Sequence, residues 1–281
     1  MSGTLYVVAT PIGNLEDITL RALRVLREVD LIAVEDTRRT ARLLSHHGIS
    51  TRTISFHAHN TRSRVPQLIT RLRTGSSIAV VTDAGTPGVS DPGLELVQAA
   101  IANGIEVDPV PGASAPLTAL VASGFPMVPF TVFGFPPNRS HARIRWLEMV
   151  CATEHAFSFF EAPHRIKATL TESAQILVIR QIVVAREITK VHQEFIRGTP
   201  SEVLERLVEP RGEFTVIVGP LLKLHSANRL SASDDAVAQE FWRLTESCGA
   251  SRREAVRSVA QSSGRSSKDV YSAIERAKKL V

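Results

Sequence analysis

The sequence predicts an α/β protein with two α/β domains and a small, helix-turn-helix-like domain at its C-terminus. Short apolar runs rich in β-branched residues alternate with amphipathic stretches over most of the chain. Glycine- and proline-rich loops follow many of these runs, and beyond about residue 230 only helical patterns remain. We therefore expect three domains, over residues 1–123, 124–222 and 233–281.

The first domain alternates apolar strands with helices. Strands are predicted over residues 5–10, 31–34 and 77–82. Helices are expected after Thr19, whose hydroxyl suits an N-cap, and from Thr37. A third helix is expected to open at Asp91-Pro92, a cap followed by proline, and to run to about Asn103. Continuous apolar strands joined by helices are typical of a parallel sheet covered on both faces.

The second domain follows a joint rich in phenylalanine and proline, residues 124–138. Strands are predicted over residues 156–160, 182–185 and 214–219, and helices over 140–149, 164–175 and 200–208. Polar and apolar residues alternate more visibly here than in the first domain. The pattern therefore predicts a mixed sheet.

The C-terminal domain is predicted to contain three helices after a linker, residues 220–233. The helices are expected over residues 234–247, 251–261 and 266–280, each beginning near a serine cap. Ser262-Ser263-Gly264 separates the second helix from the third, and the third is basic. Two short helices around a glycine turn resemble a helix-turn-helix, and the alternative is a plain three-helix bundle with a solvated basic face.

The composition sets bounds on the class of protein. The chain has 281 residues, 43% of them apolar, and a net charge of +5. No apolar run approaches the ~18 residues of a membrane helix, and no basic segment of a signal peptide precedes the first strand. Cys151 and Cys248 are too far apart to indicate a disulfide framework or a metal knuckle, so we expect a cytoplasmic protein. The positive charge favours a polyanionic partner, although many basic proteins never bind nucleic acid.

Polar loops follow almost every predicted strand. In parallel sheets, ligands bind beyond the carboxyl ends of the strands. The loop over residues 83–93 is the most informative, because three glycines and two prolines let its backbone approach a ligand closely. The alternative is a structural turn. The other strand-end loops are residues 10–14, 35–40, 111–115, 161–165 and 186–187.

Charged and histidine residues near these loops have simpler explanations too. Glu35 and Asp36 are suited to cap the helix that follows them, and the nearby arginines to form a solvated face. His57 and His59 lack a third ligand at convincing spacing, so we expect a surface loop and no metal. The chain also lacks a Gly-x-Gly-x-x-Gly after the first strand and a Gly-x-x-x-x-Gly-Lys-Ser/Thr motif, which disfavours a dinucleotide site and a P-loop.

Four of these loops together resemble one branch of the tetrapyrrole methylase superfamily, the branch that methylates ribosomal RNA. The similarity lies in Thr10-Pro11-Ile12-Gly13-Asn14-Leu15-Glu16-Asp17-Ile18-Thr19, Glu35-Asp36-Thr37-Arg38, Asp83-Ala84-Gly85-Thr86-Pro87-Gly88 and Phe160-Glu161-Ala162-Pro163-His164-Arg165. It covers about residues 4–220, and the tail from about 230 resembles the family's small helical domain. Porphyrin-methylating relatives carry Gly-Asp-Pro where this chain has Gly85-Thr86-Pro87, which argues against a porphyrin substrate.

The resemblance implies a fold, a donor and a substrate. It implies two α/β domains of the tetrapyrrole methylase type with S-adenosylmethionine in the cleft between them. It implies 2′-O-methylation of a cytidine ribose in the decoding region of small-subunit ribosomal RNA, by a homodimer. The partner would be that RNA or the assembled small ribosomal subunit. The donor contacts that it implies are Pro11, Ile12, Thr86, Val89, Ser114, Ala115, Glu161 and Ala162.

Methyl transfer to a ribose hydroxyl needs a base and a group that stabilises the developing oxyanion. A carboxylate and an arginine at a strand end could supply both. We favour Glu35, Asp36 and Arg38 as catalytic residues over Glu161, Arg186 and Glu187, without ranking the three. The candidates for RNA contact are Arg39, Arg42, His164, Arg165, Arg265 and Lys268, with Arg276, Lys278 and Lys279 also on the final basic helix.

Two other readings remain open. One is a related enzyme that methylates a small molecule or a protein side chain on the same fold. The other is a non-enzymatic, nucleic-acid-binding regulator in which residues 234–281 bind the nucleic acid. The basic terminal helices disfavour the first, and the long strand-end loops would have no purpose in the second.

Overall fold

The computed structural model describes residues 2–89, 91–177, 180–221, 233–247, 251–263 and 265–278. The chain divides into two compact units, Met1–Leu221 and Leu222–Val281. The first unit holds two five-stranded sheets, and the second is helical in its described part. No helix within the described residues is long and apolar enough to cross a membrane.

The first sheet is wholly parallel, as predicted. Its strands are β1 (Thr4–Val8), β2 (Leu31–Val34), β3 (Thr53–Ser55), β4 (Ile78–Val81) and β5 (Glu106–Val110). They lie in the order β3-β2-β4-β1-β5, and every neighbouring pair is parallel. Every residue of β2 and β4 is buried, because helices cover both faces of the sheet. All the strands therefore end at one edge.

The helices that follow these strands along the chain are α1 (Leu20–Glu28), α2 (Thr37–His46), α3 (Thr61–Arg73), α4 (Gly93–Ala102) and α5 (Ala115–Ser123). Leu26 of α1 and Leu44 of α2 pack on one face of the sheet. Leu68 of α3 and Leu96 of α4 pack on the other. The predicted cap of α1 is confirmed, since the Thr19 hydroxyl accepts a hydrogen bond from the Ala22 amide at 3.1 Å.

The second sheet is mixed, which confirms the prediction from its alternating pattern. Its strands are β6 (Phe130–Val132), β7 (Ala156–Glu161), β8 (Ile182–Arg186), β9 (Glu194–Gly198) and β10 (Phe214–Val218). They lie in the order β6-β7-β10-β8-β9, where only β6 and β7 are parallel neighbours. The helices that follow in sequence are α6 (Ser140–Cys151), α7 (Ile166–Ile176) and α8 (Pro200–Arg206).

Helix α5 packs on the second sheet rather than on the first. Its buried Ala119 and Leu120 lie in one cluster with Val183 of β8 and Ile217 of β10, and Ile12 of the first loop joins them. The two sheets are thus connected by a shared apolar cluster within Met1–Leu221. The domain boundary expected between residues 123 and 124 stays a prediction.

Several elements differ from the sequence expectations. The sequence did not predict β3, β6, β9, α3 or α5. Strands β3 and β6 have only three residues each, and β9 is a polar edge strand. The predicted start of α4 is wrong by one position, because Pro92 is the N-cap and the helix begins at Gly93. The Asp91 carboxylate still accepts a hydrogen bond from the Gly93 amide at 2.7 Å, so Asp91 stabilises that helix start from outside it.

The C-terminal unit contains the three predicted helices, α9 (Asp234–Trp242), α10 (Arg252–Ser263) and α11 (Ser267–Lys278), with a π-helical turn over Arg243–Ser247. Their core includes Val237, Phe241, Val259 and Ile274. The cap at Ser233 is confirmed by a 3.3 Å hydrogen bond from the Ala236 amide. Cys248, Gly264, Lys279 and residues 222–232 of the predicted linker lie outside the described residues.

Candidate active site

A cavity of about 440 Å³ lies between the two sheets of Met1–Leu221. Its first wall follows the carboxyl ends of β1, β2, β4 and β5, where the parallel topology brings four loops together. Its second wall comes from the ends of β7 and β8 and the start of β10. These meet at one edge because β10 is antiparallel to both neighbours. The sequence prediction of a site at strand ends therefore matches the position of this cavity.

The predicted site residues fall into two groups. The following predicted residues line the cavity: Ile12, Glu35, Arg39, Thr86, Val89, Ser114, Ala115, Glu161 and Ala162. The following do not line it: Pro11, Asp36, Arg38, Arg42, His164 and Arg165. Arg265 and Lys268 belong to the C-terminal unit.

The loops after β1 and β4 are fixed to each other. Thr10 and Gly85 exchange two backbone hydrogen bonds, of 2.9 and 3.0 Å, and the buried Thr10 hydroxyl donates to the Thr82 carbonyl at 3.1 Å. Gly85 adopts φ +82°, and a Cβ there would lie 3.4 Å from Ile12 Cγ2. Glycine is therefore favoured at this position by its backbone conformation.

Asp91 holds the glycine-rich loop in shape. Its carboxylate accepts hydrogen bonds from the Gly88 amide at 2.9 Å and from the Gly93 amide at 2.7 Å. Burial raises the pKa of Asp91 above its ordinary value, and these hydrogen bonds oppose that shift only in part. The loop that the sequence singled out is thus stabilised by a carboxylate that also lines the cavity.

Glu35 and Asp83 form an acidic pair on the first wall. Glu35 Oε2 accepts hydrogen bonds from the Thr82 hydroxyl at 2.6 Å and from the Asp83 amide at 3.2 Å. Burial raises the pKa of Asp83, and the nearby negative charge of Glu35 raises it further. Arg39 lies 3.5 Å from Asp83 Oδ2 and is the basic residue of the described cavity lining.

Asp36 and Arg38 lie beside this pair and outside the cavity lining. Asp36 is the N-cap of α2, and its carboxylate accepts from the Arg38 amide at 2.8 Å. Hydrogen bonds from the Arg38 backbone and side chain lower the pKa of Asp36. The Arg38 side chain is 91% exposed. The capping role that the sequence allowed for this segment is therefore observed at Asp36.

Glu161 reaches the cavity only through its backbone. Its side chain is fully buried, and Oε1 is 2.6 Å from Arg165 Nη2 and accepts from the Ala162 amide at 2.8 Å. Oε2 accepts from the buried Thr169 hydroxyl at 2.6 Å. All of these partners are on the β7–α7 connection or on α7 itself. The Glu161 carboxylate therefore fixes the loop that carries Ala162 into the cavity wall.

The second wall is mainly apolar and aromatic. Phe135, Phe160 and Phe214 line it with Ile188, and the ring centroids of Phe135 and Phe160 are 5.3 Å apart. None of these four residues is predicted as a site residue from the sequence. Phe135 lies in the phenylalanine- and proline-rich joint, whose composition predicts only a connection. The remaining unpredicted lining residues include Asp83, Asp91, Gly212, Glu213 and Thr215.

His57 and His59 lie between β3 and α3, with their ring centroids 5.9 Å apart. The Nε2 atom of His57 is 3.3 Å from the Asn60 side-chain amide. Among the described residues, no group of three or more histidine, cysteine or acidic side chains could hold a metal ion.

The other predicted RNA contacts are dispersed. Arg42, His164 and Lys268 are exposed. Arg165 has a side chain only 13% exposed and is paired with Glu161. Arg265 is paired with Asp234 at 2.6 Å, and Arg276 is paired with the same carboxylate at 3.1 Å. These two arginines therefore connect α9 to the α10–α11 region.

Comparison with known proteins identifies the family. The sequence profile of the Tetrapyrrole (Corrin/Porphyrin) Methylases matches residues 4–204. The chain is 43% identical over 274 residues to the ribosomal RNA small subunit methyltransferase I of Halalkalibacterium halodurans, covering 96% of this chain and 93% of that protein. It is 48% identical over 228 residues to the protein of the same name from Micromonospora olivasterospora, covering 80% of this chain and 73% of that protein.

Solved structures show the same fold over nearly four fifths of the chain. A diphthine synthase matches with a TM-score of 0.61 and 16% identity, over 78% of this chain and 90% of that one. A uroporphyrin-III C-methyltransferase from Thermus thermophilus, complexed with S-adenyl homocysteine, matches with a TM-score of 0.55 and 19% identity, over 79% and 100%. The chain belongs to the tetrapyrrole methylase family and, within it, to the ribosomal RNA small subunit methyltransferase I group.

Proposed function

We propose that this chain transfers a methyl group from S-adenosylmethionine to the 2′-hydroxyl of a cytidine ribose in the decoding region of small-subunit ribosomal RNA. The observation that carries the proposal is a ligand-sized cavity at the strand ends of a chain 43% identical to a ribosomal RNA small subunit methyltransferase I along 93% of that protein. The substrate is in the cytoplasm, so we place the enzyme there as well.

The residues of the cavity fit this donor. S-adenosylmethionine has an aromatic adenine, a ribose, and positive charges on its sulfonium and ammonium groups. The lining offers apolar and aromatic side chains, the backbone of the Gly85 loop and, Glu161 apart, four acidic residues against one basic residue in its described part. When bound, the cofactor supplies a methyl group on a positively charged sulfur, which makes the departing thioether a good leaving group.

The proposed donor contacts are the predicted residues that line the cavity, with two adjustments. Pro11 is buried next to Ile12 and supports the loop from behind, so we assign the contact to Ile12. Glu161 contributes only backbone, because its carboxylate is fully engaged by Arg165, Thr169 and the Ala162 amide. The remaining proposed contacts are Thr86, Val89, Ser114, Ala115 and Ala162.

We propose Asp83, supported by Glu35, as the group that accepts the proton of the ribose hydroxyl. Both line the cavity, whereas Asp36 caps α2 and Arg38 extends into solvent. Burial and the charge of Glu35 raise the pKa of Asp83, which makes its carboxylate a stronger base. Arg39, 3.5 Å from Asp83, is placed to stabilise the developing oxyanion. This reassigns two of the three catalytic candidates from the sequence.

The cavity is too acidic to bind the phosphates of RNA, so we place those contacts elsewhere. In the C-terminal unit, Arg265 and Arg276 are already paired with Asp234. Helix α10 carries Arg252, Arg253 and Arg257, all exposed, and within the described chain none of their side chains makes an ion pair or hydrogen bond. We therefore propose that α10 and Lys268 contact the RNA backbone from the C-terminal unit, and that Arg42 and His164 are separate contacts on the first unit.

The charge pattern of α10 supports this assignment. Arginines in a first helical turn oppose the helix dipole, and Arg253 and Arg257 are like charges spaced i, i+4. Both effects destabilise a free helix, and a polyanion would remove both. The charge pattern of α10 therefore supports the proposal that this helix contacts RNA.

We also propose a homodimer. Helix α4 exposes Leu94 and Ile101, and helix α5 exposes Leu117 and Val121, each more than half accessible to solvent. Exposed apolar faces of this kind commonly mark protein contacts. Sedimentation equilibrium of the full chain should give twice the monomer mass, and Val121→Glu should shift it toward the monomer.

A methyl-transfer assay tests the proposed function. The full chain is incubated with methyl-labelled S-adenosylmethionine and undermethylated small-subunit RNA, either naked or in assembled subunits. Label should enter the RNA. The transferred methyl group should also protect one phosphodiester linkage from alkaline hydrolysis, because that cleavage needs a free 2′-hydroxyl. Label on a base, or no label in either form of the substrate, would contradict the proposal. Label in small molecules or protein would favour the alternative enzyme.

A further inference from the structure

The turn after β8, residues 187–190, has a backbone that its residues rarely adopt. Glu187 has φ +50° and Thr189 has φ +67°, and neither is glycine. Conformations of this kind persist only where the surroundings fix them, and they concentrate at ligand sites. Ile188, between the two, is only 6% exposed and lines the cavity. The unusual backbone therefore places one apolar side chain on the cavity wall.

A network of charges holds this turn to the start of β10. Lys190 Nζ lies 2.8 Å from Glu187 Oε1 and 3.1 Å from Glu213 Oε2. The Glu213 amide also donates to Glu187 Oε1 at 2.9 Å. Glu213 itself lines the cavity. The turn is thus fixed to a second segment of the same wall.

The same turn holds the loop after β1, on the opposite wall. The Asn14 amide donates to the Thr189 hydroxyl at 3.0 Å, although 175 positions separate the two residues. A Cβ on Gly13 would lie 2.6 Å from Thr189 Oγ1 and 2.8 Å from the Ile188 carbonyl oxygen. Only glycine permits this approach. Since Ile12 precedes this glycine and lines the cavity, the contact sets the spacing between the two walls.

We infer that the 187–190 turn is a positioning element of the donor site, in which the Thr189 hydroxyl holds residues 12–14 opposite Ile188. Thr189 and Lys190 do not line the cavity, so both are positioning residues. The inference rests on the proposed function for the identity of the donor. It extends that function to a loop whose residues do not themselves react.

Thr189→Val in the full chain isolates the hydroxyl. Valine has the same shape and β-branching, so the backbone conformation is no more difficult to adopt, and only the Asn14 amide loses its acceptor. We expect faster hydrogen exchange at Asn14 in the ligand-free protein and about fivefold weaker S-adenosylmethionine binding by calorimetry. RNA affinity should not change. Thr189→Ser keeps the hydroxyl and should restore both properties.

Thr51→Val is the matched control. The Thr51 hydroxyl donates to the Leu26 carbonyl at 2.7 Å, and Thr51 does not line the cavity. It should leave donor affinity unchanged. If Thr189→Val does not fold, Lys190→Met replaces it as the test. Its control is Lys167→Met, because Lys167 donates a hydrogen bond to the Val208 carbonyl and neither residue lines the cavity.

Four results would count against the inference, and they are distinguishable. A lower Tm with unchanged donor affinity would assign the turn a purely structural role. Unchanged exchange at Asn14 would show that the hydroxyl does not hold that loop. If the wild-type chain itself does not bind S-adenosylmethionine, the proposed function fails and the positioning role fails with it. Equal binding by wild type and Thr189→Val overturns the positioning role alone.

Discussion

The cavity of Met1–Leu221 and helix α10 of the C-terminal unit have opposite charge. Glu161 apart, the described cavity lining has four acidic residues and one basic residue, whereas α10 exposes three arginines whose side chains have no partners in the described chain. A cationic donor suits the first surface and a polyanion suits the second. The difference indicates that donor binding and RNA binding are carried by separate elements, which mutation should separate.

Asp83→Asn should produce the largest effect on the cavity side. The amide cannot accept the ribose proton, so we expect kcat to fall by ~100-fold or more in single-turnover assays. The affinities for donor and RNA should change little. Asp108→Asn is the matched control, because Asp108 pairs with Arg21 at 2.6 Å away from the cavity. A kcat within a few-fold of wild type would remove Asp83 from the base position.

Glu161→Gln should destabilise the fold more than it changes RNA binding. The substitution leaves Arg165, only 13% exposed, without its charge partner. Removing one member of a buried pair costs about 3 kcal/mol, which should lower the Tm by several degrees in thermal denaturation. Glu209→Gln, in an exposed pair with Arg211, serves as control and should change the Tm little. An unchanged Tm for Glu161→Gln would show that the Glu161 carboxylate does not stabilise the loop.

Arg253→Gln combined with Arg257→Gln should weaken RNA binding without weakening the fold. Losing two phosphate contacts should make the slope of log K for RNA binding against log salt concentration less steep by ~1.4–1.8. The Tm should stay constant or rise slightly, because a like-charge i, i+4 pair is removed. Donor affinity should not change.

Arg243→Gln gives the comparison within the same unit. Arg243 is paired with Glu240 at 2.7 Å, so its loss should have a smaller effect on RNA affinity. Equal effects from the two substitutions would contradict a specific role for α10 and indicate a diffuse electrostatic contribution.

The smallest expected effect is a separation of activity and stability at low pH. Burial and the negative charge of Glu35 raise the pKa of Asp83 above its ordinary value of 3.8. As the pH is lowered, activity should therefore begin to fall while the pH is still above 3.8. Burial opposes the ionisation of Glu172, but hydrogen bonds from Arg143 and Ser140 outweigh it and lower the pKa of Glu172. Its stabilising effect is therefore present above its unfolded value of 4.5 and is lost as the pH falls through the lower folded value.

Rate and Tm profiles over the same pH range test this separation. The rate should decline before the Tm does, and Glu172→Gln should flatten the acidic part of the stability curve. A rate that declines only together with the Tm would mean that unfolding, rather than protonation at the cavity, limits activity.

The sequence predicted strands that were long and apolar, and it missed those whose stability depends on neighbours. The buried runs of β2 and β4 follow from composition alone, because four consecutive apolar residues require cover on both faces. Strand β9 is a polar edge strand, and it pairs with β8 over five residues. No local pattern indicates that pairing. Helix α3 was missed because it begins with polar residues and contains Pro66.

The site was predicted in the same uneven way. The loops after parallel strands were identifiable because every such strand ends at one edge, and the motifs in them indicated the family. The second wall was not identifiable from the sequence, because Ile188, Glu213 and Phe214 reach the cavity only through the antiparallel pairing of β10 with β7 and β8. Asp83 stood in a recognised loop, but its closeness to Glu35 comes from the adjacency of β2 and β4.

By itself, the sequence determined the fold class, the strand-end loops and the basic character of the C-terminal helices, because these depend on local pattern and charge. The tertiary structure decided which charges are available. It paired Arg265 with Asp234, 31 positions away, and it left the arginine side chains of α10 without partners in the described chain. It also brought Thr189 to Asn14 across 175 positions. Partners of this kind depend on distances in space, which spacing along the chain does not encode.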